Sequence, residues 1–139
     1  MTSNNPTIAI IDDEEMIRYA LQRKLLKQGY SVISAEKAEE VLYLIKSGEK
    51  KIDLIITDIM LRKMDGIEFL RYINAMENPI PVLILTAQAH IEDAIRALRY
   101  GACDFIRKPC DVNEIASAVR GIIRARQEKQ LADTFGQYI

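Results

Sequence analysis

Three aspartates follow two apolar segments whose composition is typical of buried strands. Asp12 and Asp13 come directly after residues 8–11, and Asp58 follows residues 52–57. In an open parallel sheet the carboxyl ends of the strands form one edge, and ligands bind along that edge. Carboxylates crowded there repel one another and raise each other's pKa, unless a divalent cation keeps them ionised. Aspartate oxygens suit Mg²⁺, with Mn²⁺ as the alternative, so the sequence predicts a hard-metal site at this edge.

A hydroxyl and an ammonium group follow two further strand candidates. Thr86 comes after residues 82–85, and Lys108, which precedes Pro109, comes after residues 104–107. Mg²⁺ keeps an octahedral shell and usually binds one or two carboxylates together with phosphate oxygens. Three carboxylates, one hydroxyl and one ammonium at the same edge therefore favour phosphoryl chemistry.

The loop after the first strand candidate argues against a nucleotide-binding cradle. Phosphate-binding sheets place glycines and free backbone N–H groups in this loop. In this chain the loop carries four consecutive acids, residues 12–15, which would repel an unscreened phosphate. A site that binds a metal ion first fits these acids better than a dinucleotide or flavin site does.

The elements that must position these side chains alternate along the sequence. Five short apolar runs alternate with five segments of helical period, which is typical of βαβ units around a parallel sheet. The sequence predicts an α/β fold with a doubly wound, five-stranded parallel sheet, in which residues 30–34 alternate in polarity and form an edge strand. The predicted strands are residues 8–11, 30–34, 52–57, 82–85 and 104–107. The predicted helices are residues 14–27, a second helix ending at 47–48, a third from residue 66, residues 91–100, and a fifth that begins after Asp111.

Composition and charge exclude several classes of function. The chain has 139 residues and a formal net charge of -1, so it has no positive field that would hold nucleic acid directly. Its longest apolar runs fall far short of the ~20 residues that a membrane span needs, and residues 1–7 show no secretory leader. Cys103 and Cys110 lack metal-ligand spacing and are interpreted as small buried thiols. We expect a cytoplasmic protein that does not contact membranes.

One domain is expected over residues 1–126. Residues 127–139 are charged at first and then carry Leu131, Phe135 and Tyr138 with few apolar neighbours in the sequence. This segment either extends the fifth helix as a C-terminal tail or begins a linker to an effector that lies outside the sequence.

Each candidate site residue also has a common structural explanation. Asp12 could cap the first helix, Asp58 could be a turn residue, and Thr86 could close a strand with a local hydrogen bond. Lys108 before a proline is ordinarily a solvated loop residue, and Phe105 on a strand is ordinarily part of the core. Only their joint placement at the ends of successive strands favours a functional site.

Five marks in order along the chain resemble the receiver domain of two-component response regulators, over residues 7–124. They are the Asp12-Asp13 pair, Asp58, Met64-Asp65-Gly66, Thr86-Ala87 and Lys108-Pro109. The resemblance implies a flavodoxin-like receiver fold with five βα units. It also implies a phosphorylation-controlled signalling switch that has no enzymatic activity beyond self-catalysed phosphoryl transfer and autodephosphorylation.

The resemblance assigns roles to the predicted site residues. Asp58 would accept the phosphoryl group from a histidine kinase or a phosphotransfer protein. Mg²⁺ would be held by Asp12, Asp13, Asp58 and the backbone carbonyl of Met60, with Asp12 acting largely through bound water. Lys108 would pair with one phosphoryl oxygen, and the Lys108-Pro109 bond would be cis.

The resemblance also implies how phosphorylation is signalled. Thr86 would donate a hydrogen bond to a phosphoryl oxygen, and its movement would be coupled to Phe105, the aromatic side chain three residues before Lys108. The surface that changes would be the fourth helix, the fifth strand and the fifth helix, where a downstream effector would dock and through which a homodimer could form. That surface would include Arg96, Arg99, Tyr100, Phe105 and Arg107.

Two positions bear on the lifetime of the phosphoryl group. Met60 and Gln88 occupy positions that tune the attacking water in this family, and an apolar Met60 cannot orient water by hydrogen bonding.

One alternative function is that of a receiver-like docking module that does not depend on phosphate. A second is a phosphohydrolase of the haloacid dehalogenase type, but the chain lacks that family's pair of aspartates separated by one residue.

Overall fold

Strands and helices alternate along the whole of the computed structural model, which describes residues 5–59 and 66–136, apart from the side chain of Gln88. A short 3₁₀ turn, Gln88–His90, precedes the fourth helix. The strands are β1 (Thr7–Ile11), β2 (Ser31–Ala35), β3 (Leu54–Asp58), β4 (Val82–Ala87) and β5 (Asp104–Lys108). The helices are α1 (Glu15–Lys27), α2 (Ala38–Ser47), α3 (Gly66–Asn74), α4 (Ile91–Arg99) and α5 (Val112–Gly136).

All five strands are parallel and lie in the order β2-β1-β3-β4-β5. The predicted doubly wound sheet and the predicted edge position of the second strand are both confirmed. The strand order reverses between β1 and β3, and this is the point at which open α/β sheets bind ligands. Ile11 pairs with Thr57, so the residues that follow β1 lie beside the end of β3.

Helices cover both faces of the sheet, which explains why its central strands are almost wholly apolar. Along β1, Ala9 and Ile11 point into a cluster that includes Phe69 of α3 and residues of α2 and α4. Ile8 and Ile10 point into the opposite cluster, which is built with α1 and α5. Two closed core layers therefore hold the carboxyl edge of the sheet in a fixed position.

The end of α4 depends on a glycine that no other residue could replace without strain. Gly101 has a φ of +108°, and a Cβ atom built there would fall 1.7 Å from Nδ2 of Asn74. The Asn74 side chain donates a hydrogen bond to the carbonyl of Tyr100, which ties the end of α3 to the end of α4. This contact fixes the direction in which the chain enters β5.

The last helix is longer than its core-packing segment. Ile115, Ala116, Val119 and Ile123 are buried against the sheet. Every residue from 127 to 136 is exposed, with Leu131 and Phe135 58% and 62% accessible. The segment after residue 126 continues the fifth helix through Gly136.

Two sequence predictions need correction. Neither cysteine is fully buried. Cys103 is exposed, because it lies where the chain passes from Gly101 into the edge strand β5, although its thiol donates a hydrogen bond to the carbonyl of Val82 at 3.3 Å, and Cys110 is half-buried. β3 begins at Leu54 rather than at residue 52, because its pairing with β1 starts where Leu54 lies opposite Ile8. Among the described helices, none has the length and apolarity required to cross a bilayer.

Candidate functional site

The ammonium group of Lys108 joins the ends of three strands at the carboxyl edge of the sheet. Its Nζ atom lies 2.9 Å from Oδ2 of Asp12, which follows β1, and 3.0 Å from Oδ2 of Asp58, which ends β3. It also lies 3.4 Å from Oε1 of Glu14. Three of the predicted site residues are therefore in direct contact, and Glu14 is an additional partner.

Asp12 is the most deeply buried carboxylate of this cluster. The residue is 1% exposed, and its second oxygen, Oδ1, accepts a hydrogen bond from the backbone N–H of Glu14 at 2.9 Å. The guanidinium of Arg18 on α1 donates a hydrogen bond to the backbone carbonyl of Asp12. Burial raises the pKa of Asp12 above its ordinary value, although the bonds from Glu14 and Lys108 act in the opposite direction.

The charge of Lys108 is held firmly by its surroundings. Burial alone would lower the pKa of the ammonium, since its side chain is 13% exposed, but the hydrogen bonds to Asp12 and Asp58 and the attraction of their charges together outweigh burial. The pKa of Lys108 consequently lies above its ordinary value, and the group is charged at neutral pH. The Lys108-Pro109 peptide bond is cis, as expected.

The donor set at this edge fits a hard divalent cation. Asp12, Asp13 and Glu14 each offer a carboxylate oxygen, and these oxygens lie within 4.8 Å of one another. Oxygen donors of this kind match the preferences of Mg²⁺ and Mn²⁺. Asp58 is connected to this group through Lys108, whereas Met60, the fourth predicted ligand, lies outside the described residues. Glu14 was missing from the predicted ligands, although it belongs to the acidic run after β1.

Thr86 and Phe105 lie on adjacent strands near this cluster. Thr86 is completely buried at the end of β4, and its hydroxyl donates to the backbone carbonyls of Ala87 and His90, both at 3.3 Å. Phe105 is half-buried on β5 and packs against the core layer of α2, α3 and α4. The hydroxyl of Thr86 thus joins the site edge of the sheet to the start of α4, and the predicted bond to a phosphoryl oxygen stays a prediction.

Comparisons with known proteins extend over this whole site. A family model described as the response regulator receiver domain matches residues 8–120. The chain is 39% identical over 120 residues to the alkaline phosphatase synthesis transcriptional regulatory protein PhoP of Bacillus subtilis, which covers 86% of this chain and 49% of PhoP. It is 36% identical over 134 residues to the transcriptional regulatory protein ZraR of Escherichia coli O157:H7, which covers 96% of this chain and 28% of ZraR.

Solved structures give the same result. A response regulator receiver domain protein from Clostridium thermocellum superposes with a TM-score of 0.79 at 30% identity, covering 88% of this chain and 97% of that one. NtrX from Brucella abortus superposes with a TM-score of 0.84 at 27% identity, covering 93% of this chain and 29% of NtrX. The chain spans half or less of the length of these two curated relatives. Because the family match runs from β1 into α5 and includes Asp12, Asp58, Thr86 and Lys108, the chain belongs to the response regulator receiver domain family, the phosphorylation-controlled switches of two-component systems.

Proposed function

We propose that Asp58 is the phosphoacceptor of this receiver and takes its phosphoryl group from a histidine kinase or a phosphotransfer protein. The observation that carries the proposal is the position of Lys108, whose ammonium lies 3.0 Å from the Asp58 carboxylate. The side chain of Asp58 is 17% exposed, so part of it is accessible to a donor from solvent. As the bond from phosphorus to the imidazole nitrogen breaks, a bond to a carboxylate oxygen of Asp58 forms.

Lys108 acts on the charge that the transfer brings to Asp58. Its ammonium is already within hydrogen-bond distance of that carboxylate and is held there by Asp12. A charge-assisted hydrogen bond from Lys108 to a phosphoryl oxygen needs no large rearrangement, and preorganised donors of this kind stabilise phosphoryl transfer. The chain has no catalytic turnover in this scheme beyond its own phosphorylation and dephosphorylation.

The acidic edge supplies the ligands for Mg²⁺ or Mn²⁺. Asp12, Asp13, Asp58 and the backbone carbonyl of Met60 would hold the ion, and the clustering of the first two with Glu14 supports a cation at this position. A bound divalent cation would neutralise the carboxylates and the phosphoryl oxygens that meet there. The buried Asp12 would keep its bond to Lys108 and so hold the ammonium in place.

The output of the switch would pass through Thr86. Its hydroxyl now bonds to the carbonyl of His90 at the start of α4, and a phosphoryl oxygen on Asp58 would compete for it. Release of that carbonyl and repacking of Phe105 would change the surface formed by α4, β5 and α5, including Arg96, Arg99, Tyr100 and Arg107. Ile95 and Tyr100 are 45% and 40% exposed on this surface, which supports docking of an effector or of a second copy.

The same proposal includes the organisation and setting of the domain. Residues 1–126 would form the receiver, since Arg126 is the last residue of α5 that is not fully exposed, and residues 127–139 would form a tail or the start of a linker. The formal charge of -1 supports a domain that does not itself bind nucleic acid. We place the protein in the cytoplasm, as for other receivers.

The direct test is the intact mass of the protein after exposure to acetyl phosphate and Mg²⁺. One phosphoryl adduct is expected on the wild type, and none on Asp58→Asn or on the wild type with EDTA. Asp104→Asn is the matched control, because it removes an exposed carboxylate from the start of β5, at the opposite end of the sheet, and should leave the adduct unchanged. An adduct that persists in Asp58→Asn would refute the assignment of the phosphoacceptor.

A further inference from the structure

All three N–H donors of the Lys108 ammonium have carboxylate partners. An ammonium group has three donors and no acceptor, and here they face Asp12 at 2.9 Å, Asp58 at 3.0 Å and Glu14 at 3.4 Å. The three partners differ in their freedom to move. The side chain of Asp12 is 0% exposed, that of Asp58 is 17% exposed and that of Glu14 is 59% exposed.

A phosphoryl group on Asp58 therefore needs a donor that is already in use. Asp12 is fixed by burial and by its second hydrogen bond, from the backbone N–H of Glu14. Phosphorylation of Asp58 uses only one of its two carboxylate oxygens, so the other can keep a bond to Lys108. Glu14 makes the longest of the three bonds, and its carboxylate can turn into solvent at little cost. The Glu14 side chain is consequently the partner that Lys108 can exchange.

We infer that Glu14 is a positioning residue that occupies the third donor of Lys108 in the unphosphorylated protein and competes with the phosphoryl group for it. This inference rests on the proposed role of Asp58. Glu14 and Lys108 line the same cleft, beside Pro109 and the side chains of α1 and α5. Their contact thus lies on the side of Lys108 that faces α1 and α5 and is open to solvent.

The next residue provides a matched control. Glu15 is also an exposed acid with the same charge, but it lines a different cleft, between α1 and β2. Among the described residues, Glu15 makes no hydrogen bond to Lys108. A change at Glu15 therefore reproduces the loss of one negative charge near the site without the loss of the Lys108 contact.

The experiment compares the whole chain as wild type, Glu14→Gln, Glu14→Asp and Glu15→Gln. The readout is the rate of adduct formation with acetyl phosphate at saturating Mg²⁺, by intact mass, at low and high salt. We expect Glu14→Gln to form the adduct faster than Glu15→Gln by about two- to fivefold, as for an exposed ion pair. Glu14→Asp keeps the charge but is too short to reach Lys108, so it should accelerate the reaction to a similar extent.

Three outcomes would overturn the inference while leaving the role of Asp58 intact. Equal rates for Glu14→Gln and Glu15→Gln, converging with the wild type at high salt, would show a general charge effect. A wild-type rate for Glu14→Asp would show that the contact with Lys108 is irrelevant. A wild-type rate for Glu14→Gln at saturating Mg²⁺, together with a changed Mg²⁺ concentration for half-maximal rate in a parallel Mg²⁺ titration, would make Glu14 a metal ligand instead. Absence of any adduct on the wild type would instead refute the proposed function, and this inference with it.

Discussion

Two basic side chains at opposite ends of the sheet have opposite surroundings. Lys108, at the carboxyl edge, has three carboxylates for its three donors. Arg126, at the amino edge, donates to the carbonyl of Pro79 at 3.0 Å, while its Nε atom lies 3.9 Å from Oδ1 of Asp53. That Nε atom is buried, and no described residue accepts a hydrogen bond from it.

The difference indicates different roles: the surroundings of Lys108 suit phosphoryl chemistry, and those of Arg126 suit a structural contact. Around Lys108 there is an excess of negative charge, which costs stability and prepares the edge for a cation and a phosphoryl group. Around Arg126 the described residues supply fewer acceptors than its guanidinium has donors, and the contacts join α5 to the segments that precede β3 and β4. Asp53 also accepts a hydrogen bond from the backbone N–H of Thr7 at 2.9 Å, so Arg126 is connected to β1 as well as to β3.

The largest expected effect comes from removing the ammonium group of Lys108 at the carboxyl edge. Lys108→Met deletes the donor that would stabilise the phosphoryl oxygens, and we expect adduct formation from acetyl phosphate to fall by about 100-fold or more. Lys129→Met, on the exposed part of α5, is the control of equal charge change. A Lys108→Met rate close to that of the control would show that the Lys108 ammonium does not promote phosphoryl transfer.

A smaller effect, on stability alone, is expected at the opposite edge. Arg126→Ala removes the contacts to Asp53 and Pro79 and the packing of its apolar stem, and we expect the free energy of unfolding in urea to fall by about 1–2 kcal/mol. The rate of adduct formation should stay at the wild-type value. Arg124→Ala, an exposed arginine two residues earlier, should change neither quantity. A loss of reactivity in Arg126→Ala would show that the two edges are coupled.

The smallest effect concerns the pH dependence of stability without divalent cations. Because burial raises the folded-state pKa of Asp12 above its unfolded value, the folded state binds this proton more tightly. Stability contributed by the protonated form is therefore present below the unfolded pKa and is lost as the pH rises through the folded pKa.

The Asp12→Asn side chain cannot ionise, so the loss of stability with rising pH at this position disappears. Its amide oxygen can still accept the hydrogen bond from the backbone N–H of Glu14. We expect the unfolding midpoint of this variant in urea, relative to wild type, to increase as the pH rises from about 4 to 7. Asp13→Asn, at the exposed neighbour, is the control for charge. A difference between Asp12→Asn and wild type that does not change with pH would contradict the assignment.

Sequence reasoning found the elements, and the residues that meet at the carboxyl edge of the sheet, for a physical reason. Apolar runs bounded by Asp12, Asp58, Thr86 and Lys108 have local signals, and the parallel arrangement brings all strand ends to one edge. The contacts between side chains had no such signal. Glu14 was recognised as part of an acidic run, but its bond to Lys108 depends on reach across 94 positions of sequence.

Arg126 shows the same limit more plainly. The arginines of residues 120–126 have the pattern of a solvated helix face, and Arg120 and Arg124 are indeed exposed. Arg126 differs because the tertiary fold places Asp53 and the carbonyl of Pro79 beside it, and neither lies near it in the sequence. Spacing along a helix predicts which face a residue occupies, but not which distant loop reaches that face.

The length of α5 has a mechanical consequence. At 1.5 Å per residue its 25 residues measure about 37 Å, and the helix begins four residues after Lys108. Its first part is held against the sheet by Ile115, Val119 and Ile123 and is tied to Asp53 and Pro79 through Arg126, so only residues 127–136, about 15 Å of helix, project beyond the anchored part. The direction in which the chain leaves the domain at residue 136 is therefore set by how the anchored part of α5 lies on the sheet.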